Sequence, residues 1–431
     1  MANFREAIRI LTQHAPVGNG KNRFNSLWRK GYLFFSMRVT GVLTAKISPA
    51  RRTAFSVLES VAGGAFASDA LRDATRTIDS RDARLASQIV FGVLRYQAQL
   101  DFLIALYAGR DIRNFDPPVL IALRSGIFQL RYLDRIPVHA AVHETVELTK
   151  AHKRAAVGLV NAVLRKVNRD PIAWPSAEIE FSCPGWLLDR WIDHFGRQQA
   201  QDIARAALVE PAHYLRIPTG SLAPEDAVLE PTPVSGCYRA LSSLPPSVRL
   251  HDIGAQTIIP LLDLAPGHRH LDLCAAPGNK TLQALETPLA TAVACDVSFR
   301  RLRDVPAVCP RVVLDAACAL PFGVQFDRIL VDAPCSGTGT LARNPEIKWR
   351  LSPEDIQRHK KGQLLIARRA VSQLAPGGKL VYATCSLERE ENEEVVRELL
   401  AHEPAVRCER EVWRIPGREE GDGFYAAVLT V

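Results

Sequence analysis

Five short apolar runs, at 270–273, 291–296, 311–314, 328–331 and 379–384, alternate with longer stretches of helical spacing in the carboxyl-terminal part of the chain. Runs this short suit buried strands better than helices, and their alternation with helices predicts a parallel sheet covered on both faces. Helices are expected at about 280–286, 353–374 and 390–402, with Pro376-Gly377-Gly378 ending the long one, and residues 405–431 read as two strands joined by a turn. In an open sheet of this kind ligands gather at the carboxyl ends of the strands, so the residues that close each run carry most of the information about chemistry.

The first run leads into Cys274-Ala275-Ala276-Pro277-Gly278-Asn279-Lys280, a loop of small residues followed by a helix. Small side chains let a ligand approach the backbone, and a helix start offers unpaired N–H groups. Asp296, Asp315 and Asp332 close the next three runs. Carboxylates at strand ends repel phosphates but suit ribose hydroxyls, a sulfonium and an amino group. S-adenosylmethionine carries all three, which makes it the expected cofactor and disfavours a dinucleotide.

Two cysteines follow strand ends, Cys335 in Asp332-Ala-Pro-Cys-Ser-Gly-Thr-Gly339 and Cys385 in Tyr382-Ala-Thr-Cys-Ser386. Two thiols beside a methyl donor point to covalent activation of a pyrimidine. A thiolate adding to C6 of cytosine converts the ring to an enamine whose C5 attacks a methyl group, and a base then removes the C5 proton. A free thiol has a pKa of about 8.5, so the site must favour the thiolate. Cys385 and Cys335 are the candidates for these two duties. Cys295, Cys309, Cys318 and Cys408 read as small apolar core residues, and the thiol of Cys274 is not required. With nine cysteines and no Cys-x-x-Cys pair, neither a disulfide framework nor a metal site is expected, and a reducing cytoplasm fits.

Between the cysteines, Arg343, Lys348, Trp349 and Arg350 set basic groups beside an aromatic, a pattern that suits phosphate contact and base stacking. Glu388 to Glu394 reads as an acidic helix start without a catalytic role.

The front of the chain differs. Residues 48–170 are helical almost throughout, with Ala54, Val57, Leu58 and Val61 on one face and Leu85, Ile89, Val90, Val93 and Leu94 on another, which predicts an all-α domain of five to seven helices. Residues 1–170 hold 26 of the 54 Lys and Arg but 13 of the 46 Asp and Glu, a net +13 that leaves −5 on the remainder. A basic front joined to a mildly acidic back suggests a polyanion-binding module attached to a domain with other work. Residues 1–47 form a basic extension that a start at Met37 would leave untranslated in large part. No run approaches the roughly 18 apolar residues of a membrane span, and no secretory signal is evident. Residues 171–250, with seven prolines from Pro211 onward, read as a linker and a small α+β module.

Together the Pro-Cys, Thr-Cys and Cys-Ala-Ala-Pro-Gly-x-Lys-Thr motifs resemble the RNA 5-methylcytosine methyltransferases. Phe91-Gly-Val-Leu-Arg95 and Gly158-Leu-Val-Asn-Ala-Val-Leu-Arg165 are similar to the NusB-like RNA-binding domain fused to the bacterial small-subunit rRNA methyltransferase B proteins; Trp186-Leu-Leu-x-Arg-Trp191 and Gly421-Asp-Gly-Phe-Tyr425 match as well. The resemblance implies an all-α NusB-like domain at 48–170, the small α+β module at 171–250 and an α/β Rossmann-like, S-adenosylmethionine-dependent methyltransferase domain at 251–431. It makes Cys385 the nucleophile and Cys335 the residue that helps release product, an order that spacing leaves open. Cofactor contacts are implied for Cys274 to Lys280, Asp296, Asp315 and Asp332. Three positions depart from the family. Asn279 replaces a glycine and is expected to tolerate a left-handed backbone with looser cofactor binding. His251-Asp-Ile-Gly-Ala-Gln256 and Leu215-Arg-Ile-Pro218 alter segments that would position substrate.

The expected activity is methylation of cytosine C5 in 16S rRNA, acting as a monomer on the RNA or an early small-subunit particle, with no metal and no membrane. A tRNA cytosine methyltransferase is the nearest alternative. A non-catalytic RNA-binding factor of antitermination type is the alternative from another class, which the retained cysteines and acids oppose.

Overall fold

The computed structural model describes residues 47–245 and 247–431, so the basic extension lies, but for Ile47, outside the described residues. Among the described residues, helical periodicity in the front part produces seven α-helices: α1 Pro49–Ala62, α2 Ala67–Ala74, α3 Ser80–Arg95, α4 Gln97–Ala108, α5 Pro117–Tyr132, α6 Val138–His152 and α7 Val157–Leu164. Ala54, Val57, Leu58 and Val61 meet Ile89, Val90, Val93 and Leu94 in one continuous core. Pro49 and Pro117 occupy first helical turns, where a missing N–H costs no bond. Gly92 lets α3 lie against α5: a Cβ there would sit 1.9 Å from the ring of Phe128.

Residues 171–250 form short helices α8 Ala177–Glu180, α9 Gly185–Phe195 and α10 Arg197–Ala206, followed by an antiparallel sheet in the order β1-β3-β2, from β1 Tyr214–Arg216, β2 Leu229–Pro231 and β3 Cys237–Ala240. This region is more than a spacer. Leu187, Leu188, Trp191 and Ile203 share a core with Leu341, Leu387 and Ile415. Leu341 and Leu387 lie just downstream of the two candidate cysteines, so the module forms the floor beneath both cysteine loops.

After α11 Ile253–Gln256 the alternation predicted from sequence appears as β4 Arg269–Asp272, α12 Asn279–Ala284, β5 Thr291–Asp296, α13 Phe299–Leu302, β6 Arg311–Val313, β7 Phe326–Asp332, α14 Ile347–Arg350, α15 Pro353–Ser372, β8 Leu374–Thr384, α16 Glu393–His402, β9 Arg407–Arg414 and β10 Phe424–Thr430. The seven strands of one sheet run in the order β6-β5-β4-β7-β8-β10-β9. The first five are mutually parallel; β10 pairs antiparallel with both β8 and β9. Alternate residues serve opposite faces, as the two-residue pleat requires. Ile329, Val331, Leu380, Tyr382, Tyr425 and Ala427 pack toward α15 and α16, while Leu330, Val381, Ala383, Phe424 and Ala426 pack toward Ile258, Ile259 and Leu262.

Two expected boundaries move. Helix α15 begins at a capping box, with Ser352 and Asp355 exchanging side-chain and backbone bonds, but it ends at Ser372. Pro376-Gly377-Gly378 therefore lies within the β8 run, in a stretch where pairing with β7 shifts register. Helix α16 starts at Glu393, and Arg389–Glu391 forms a separate 3-10 turn.

Candidate active site

Because β5 and β6 lie on one side of β4 while β7 and β8 lie on the other, the order reverses beside β4, where an open α/β sheet leaves a crevice at its carboxyl edge. A cavity of about 160 Å³ opens there, lined by Cys274, Ala275, Ala276, Pro277, Asn279, Lys280 and Asp332, together with His251, Asp252, Ala255, Asp272, Asp422 and Phe424. Gly278, Asp296 and Asp315 lie outside this lining. Asp296 braces the loop, accepting from Ala276 N at 3.2 Å and Ser298 N at 2.8 Å. Asp315 is exposed and accepts from Ala317 N.

The loop backbone has one residue that must be glycine. Gly278 has φ +103°, and a Cβ there would meet Val305 at 3.0 Å. Asn279 does not take up the left-handed conformation expected of it; it opens α12, and its side chain donates to Leu250 O at 2.8 Å and accepts from Arg249 at 3.0 Å. The left-handed strain falls on the neighbouring glycine, leaving Asn279 free to tie the loop to the preceding segment.

Asp272, at the end of β4, is buried with one carboxylate oxygen accepting from Thr281 Oγ1 at 2.7 Å and the other, Oδ1, without a hydrogen-bond partner. Burial, opposed by the Thr281 bond and reinforced by Asp332, pushes its pKa up to about 7. His251 is held neutral, its pKa driven down to about 3 by burial and then by Lys280, Arg216 and Arg249, and its Nε2 also has no partner. Lys280 Nζ lies 2.6 Å from Asp332 Oδ2. Burial opposes the Lys280 charge, but Asp332, Cys385 and Asp272 outweigh it and raise its pKa.

Cys335 and Cys385 come together with their sulfurs 3.3 Å apart, both half-buried. Neighbouring strands β7 and β8 deliver them. The turns after those strands interlock through Gly339, whose N–H donates to Cys385 O at 2.9 Å and whose carbonyl accepts from Gly423 N at 2.8 Å. The Cys335 thiol is pushed well above the usual range by its hydrogen bond with Cys385, then by burial and the charges of Cys385, Glu391 and Asp332. The Cys274 thiol is likewise raised, by burial and three nearby aspartates.

Glu391 corrects the reading of 388–394 as a mere acidic helix start. It is fully buried, and its carboxylate accepts from Ser336 N at 2.8 Å, from Gln363 Nε2 at 3.0 Å and from the hydroxyls of Ser336 and Ser386. Those serines follow the two cysteines directly, so one carboxylate clamps both loops. Glu388 reaches elsewhere, accepting from Arg190 at 2.7 Å and Trp191 Nε1 at 3.1 Å.

The four residues expected to touch RNA are committed to protein partners instead. Arg343 bridges Asp422 at 2.8 Å and Asp252 at 2.6 Å. Lys348, only 1% exposed, donates to Arg95 O at 2.9 Å, and Trp349 Nε1 donates to Leu94 O at 2.7 Å. Arg350 donates to Val61 O at 2.7 Å and to Ala65 O. The basic–aromatic pattern is an interdomain contact in which Lys348 is buried and the partly exposed Arg343, Trp349 and Arg350 donate to protein acceptors. Cys318, expected in the core, is exposed. Among the described residues no group of three His, Cys, Asp or Glu side chains is placed to hold a metal, and no single helix is long and apolar enough to cross a membrane.

Asp272, Asp422 and Glu391 were given no role in the site from sequence, and His251 was placed only in a segment that would position substrate. For Asp272 a signal existed, an acid inside an otherwise apolar strand.

Comparison with known proteins gives a consistent result. The model of the 16S rRNA methyltransferase RsmB/F family matches residues 259–430, and that of the NusB family matches residues 48–169. Ribosomal RNA small subunit methyltransferase B of Klebsiella pneumoniae is 34% identical over 409 residues, covering 85% of this chain and 94% of that one. The protein of the same description from Vibrio cholerae is 34% identical over 406 residues, covering 84% and 93%. The crystal structure of PH0851 shares the fold, with a TM-score of 0.75 at 21% identity over 89% of this chain and 99% of that one.

Proposed function

This chain belongs to the 16S rRNA methyltransferase RsmB/F family, and from that premise we propose that it methylates C5 of a cytosine in 16S rRNA through a covalent adduct between Cys385 and C6. The observation that carries the reading is the pair of sulfurs 3.3 Å apart, tied through Asp332 and Lys280 to the lining of a cavity whose buried Asp272 has an unpartnered oxygen.

At about 160 Å³ that cavity takes only part of S-adenosylmethionine, and its lining suits such a group: Asp272 Oδ1 and His251 Nε2 are buried polar atoms in want of partners, and small residues from Cys274 to Pro277 form one wall. When bound, it supplies an activated methyl group. Asp296 and Asp315 stand at the strand ends on the β5 and β6 side, where ribose and base contacts would fall.

The chain's own residues divide the remaining work. Lys280, charged and in electrostatic contact with Cys385, stands beside the proposed nucleophile, whereas the surroundings of Cys335 raise its pKa and keep it a thiol, its sulfur 3.3 Å from that of Cys385. Adding Cys385 to C6 forms the S–C6 bond and makes the sulfur an uncharged thioether. The foremost cause of the raised Cys335 pKa then disappears, while burial, Glu391 and Asp332 remain, so Cys335 loses its proton to solvent more readily once the adduct exists. Once C5 carries the methyl group, the Cys335 thiolate takes the C5 proton, the C5–H electrons restore the C5=C6 bond, and Cys385 departs as thiolate. The raised pKa of Cys335, whose foremost cause is its contact with Cys385, supports this proposed order.

The test is a pair of variants incubated with 16S rRNA. Cys335→Ala should accumulate a protein–RNA adduct on a denaturing gel, while Cys385→Ala forms none and loses methylation. The reverse pattern would overturn the roles. Mapping 5-methylcytosine in a deletion strain tests the substrate, and loss from tRNA alone would refute the ribosomal assignment.

A further inference from the structure

We infer that the helical domain is a structural part of the catalytic centre, and that residues 346–350 are positioning residues through which it holds the Cys335 loop. This rests on the proposed function only in taking Cys335 as a reacting group.

The segment reaches the ends of three helices in the other domain. Glu346 is 1% exposed and accepts from Ala67 N at 2.9 Å, at the first residue of α2. Lys348 and Trp349 donate to Arg95 O and Leu94 O, at the end of α3. Arg350 donates to Val61 O, Gly64 O and Ala65 O, at and beyond the end of α1. In return Arg95 donates to Ala342 O at 2.8 Å. Helix ends leave backbone donors and acceptors unpaired, so a partner that satisfies several at once is held in register by them.

The other side of this segment touches the cysteine loop. Gly337, two residues after Cys335, has φ +75°, and a Cβ on it would lie 2.9 Å from Ile347 Cδ1. Ile347 therefore packs directly on the turn that presents Cys335. Leu341, on the same stretch, is anchored in the core formed by α9 and α10. An unbroken path of contacts runs from α1, α2 and α3 through Ile347 to the reactive loop. A surface devoted to RNA would not need a lysine buried to this degree, because burying an amine costs free energy unless it is partnered.

The experiment uses the full chain without RNA. Cys335 alkylation by iodoacetamide is followed by peptide mass spectrometry, with Cys295, wholly buried in the sheet, as an internal control for global unfolding. Trp349→Phe removes one hydrogen bond but keeps a ring; Arg350→Met removes three while keeping bulk. Loss of a single bond is expected to raise Cys335 labelling roughly fivefold through local opening, with Arg350→Met larger and Cys295 unlabelled in both. Steady-state methylation should then show a lower kcat with KM for RNA unchanged. Unaltered Cys335 labelling in both folded variants would overturn the inference, as would a methylation defect confined to KM, which marks an RNA contact. Should the wild type methylate no cytosine, the proposed function fails while the labelling still decides the coupling.

Discussion

Glu391 provides the sharpest test of how the two cysteine loops are held. Replacing it by alanine leaves two buried donors, Ser336 N–H and one N–H of Gln363, without an acceptor, whereas the Ser336 and Ser386 hydroxyls, 3.0 Å apart, can pair with each other. Each orphaned donor costs about 1–3 kcal/mol, so Glu391→Ala should destabilise the site by about 2–6 kcal/mol. Glutamine keeps an oxygen for those two donors and turns an amide toward the hydroxyls, which can rotate to accept. It exchanges four charge-assisted bonds for neutral ones, a loss that is partly offset because a buried charge disappears and that leaves neither donor orphaned. Hydrogen–deuterium exchange of the amides at 335–341 and 385–392 measures this opening directly. Removing the negative neighbour should also lower the Cys335 pKa, moving its alkylation–pH profile toward lower pH in Glu391→Gln. Equal exchange in the two variants, or an unmoved profile, would refute the shared-clamp argument.

Other consequences are open to measurement. His270 is buried with Nε2 unpartnered and its pKa lowered to about 4 by burial, so between pH 6.5 and 4 the unfolded chain binds a proton that the folded one refuses. Its contribution to stability is present above the unfolded value and lost as pH falls: about 2 kcal/mol between pH 6.5 and 5, at 1.36 kcal/mol per unit. His270→Leu should flatten that part of a denaturation-against-pH curve, and an unchanged slope would count against it. Gly92→Ala drives a methyl group into the Phe128 ring and should cost about 1–3 kcal/mol, seen as a lower urea midpoint for the helical domain. Asp272→Asn and Gly278→Ala should each weaken S-adenosylmethionine binding in calorimetry, the first by altering the unpartnered oxygen and the second by closing the loop onto Val305; wild-type affinity in both would remove this cavity from consideration.

The sequence determined the parts of this protein that depend on local rules. Strand runs at 291–296 and 379–384, the helical faces at Ala54 to Val61 and Ile89 to Leu94, and the meeting of small-residue loop, acids and cysteines at one sheet edge follow from periodicity and strand direction. What it misjudged shares a different cause. Arg343, Lys348, Trp349 and Arg350 looked like an RNA surface, and Glu391 looked like a solvated helix start, because a charged residue's sequence neighbours do not say what covers it. Tertiary structure settled that: α1, α2 and α3 close over 346–350, and the two cysteine loops close around Glu391. The physical reason is that a charge is stable in the interior only when distant segments bring it partners. Hydrophobic period is written residue by residue, but such partnerships exist only once the chain has folded.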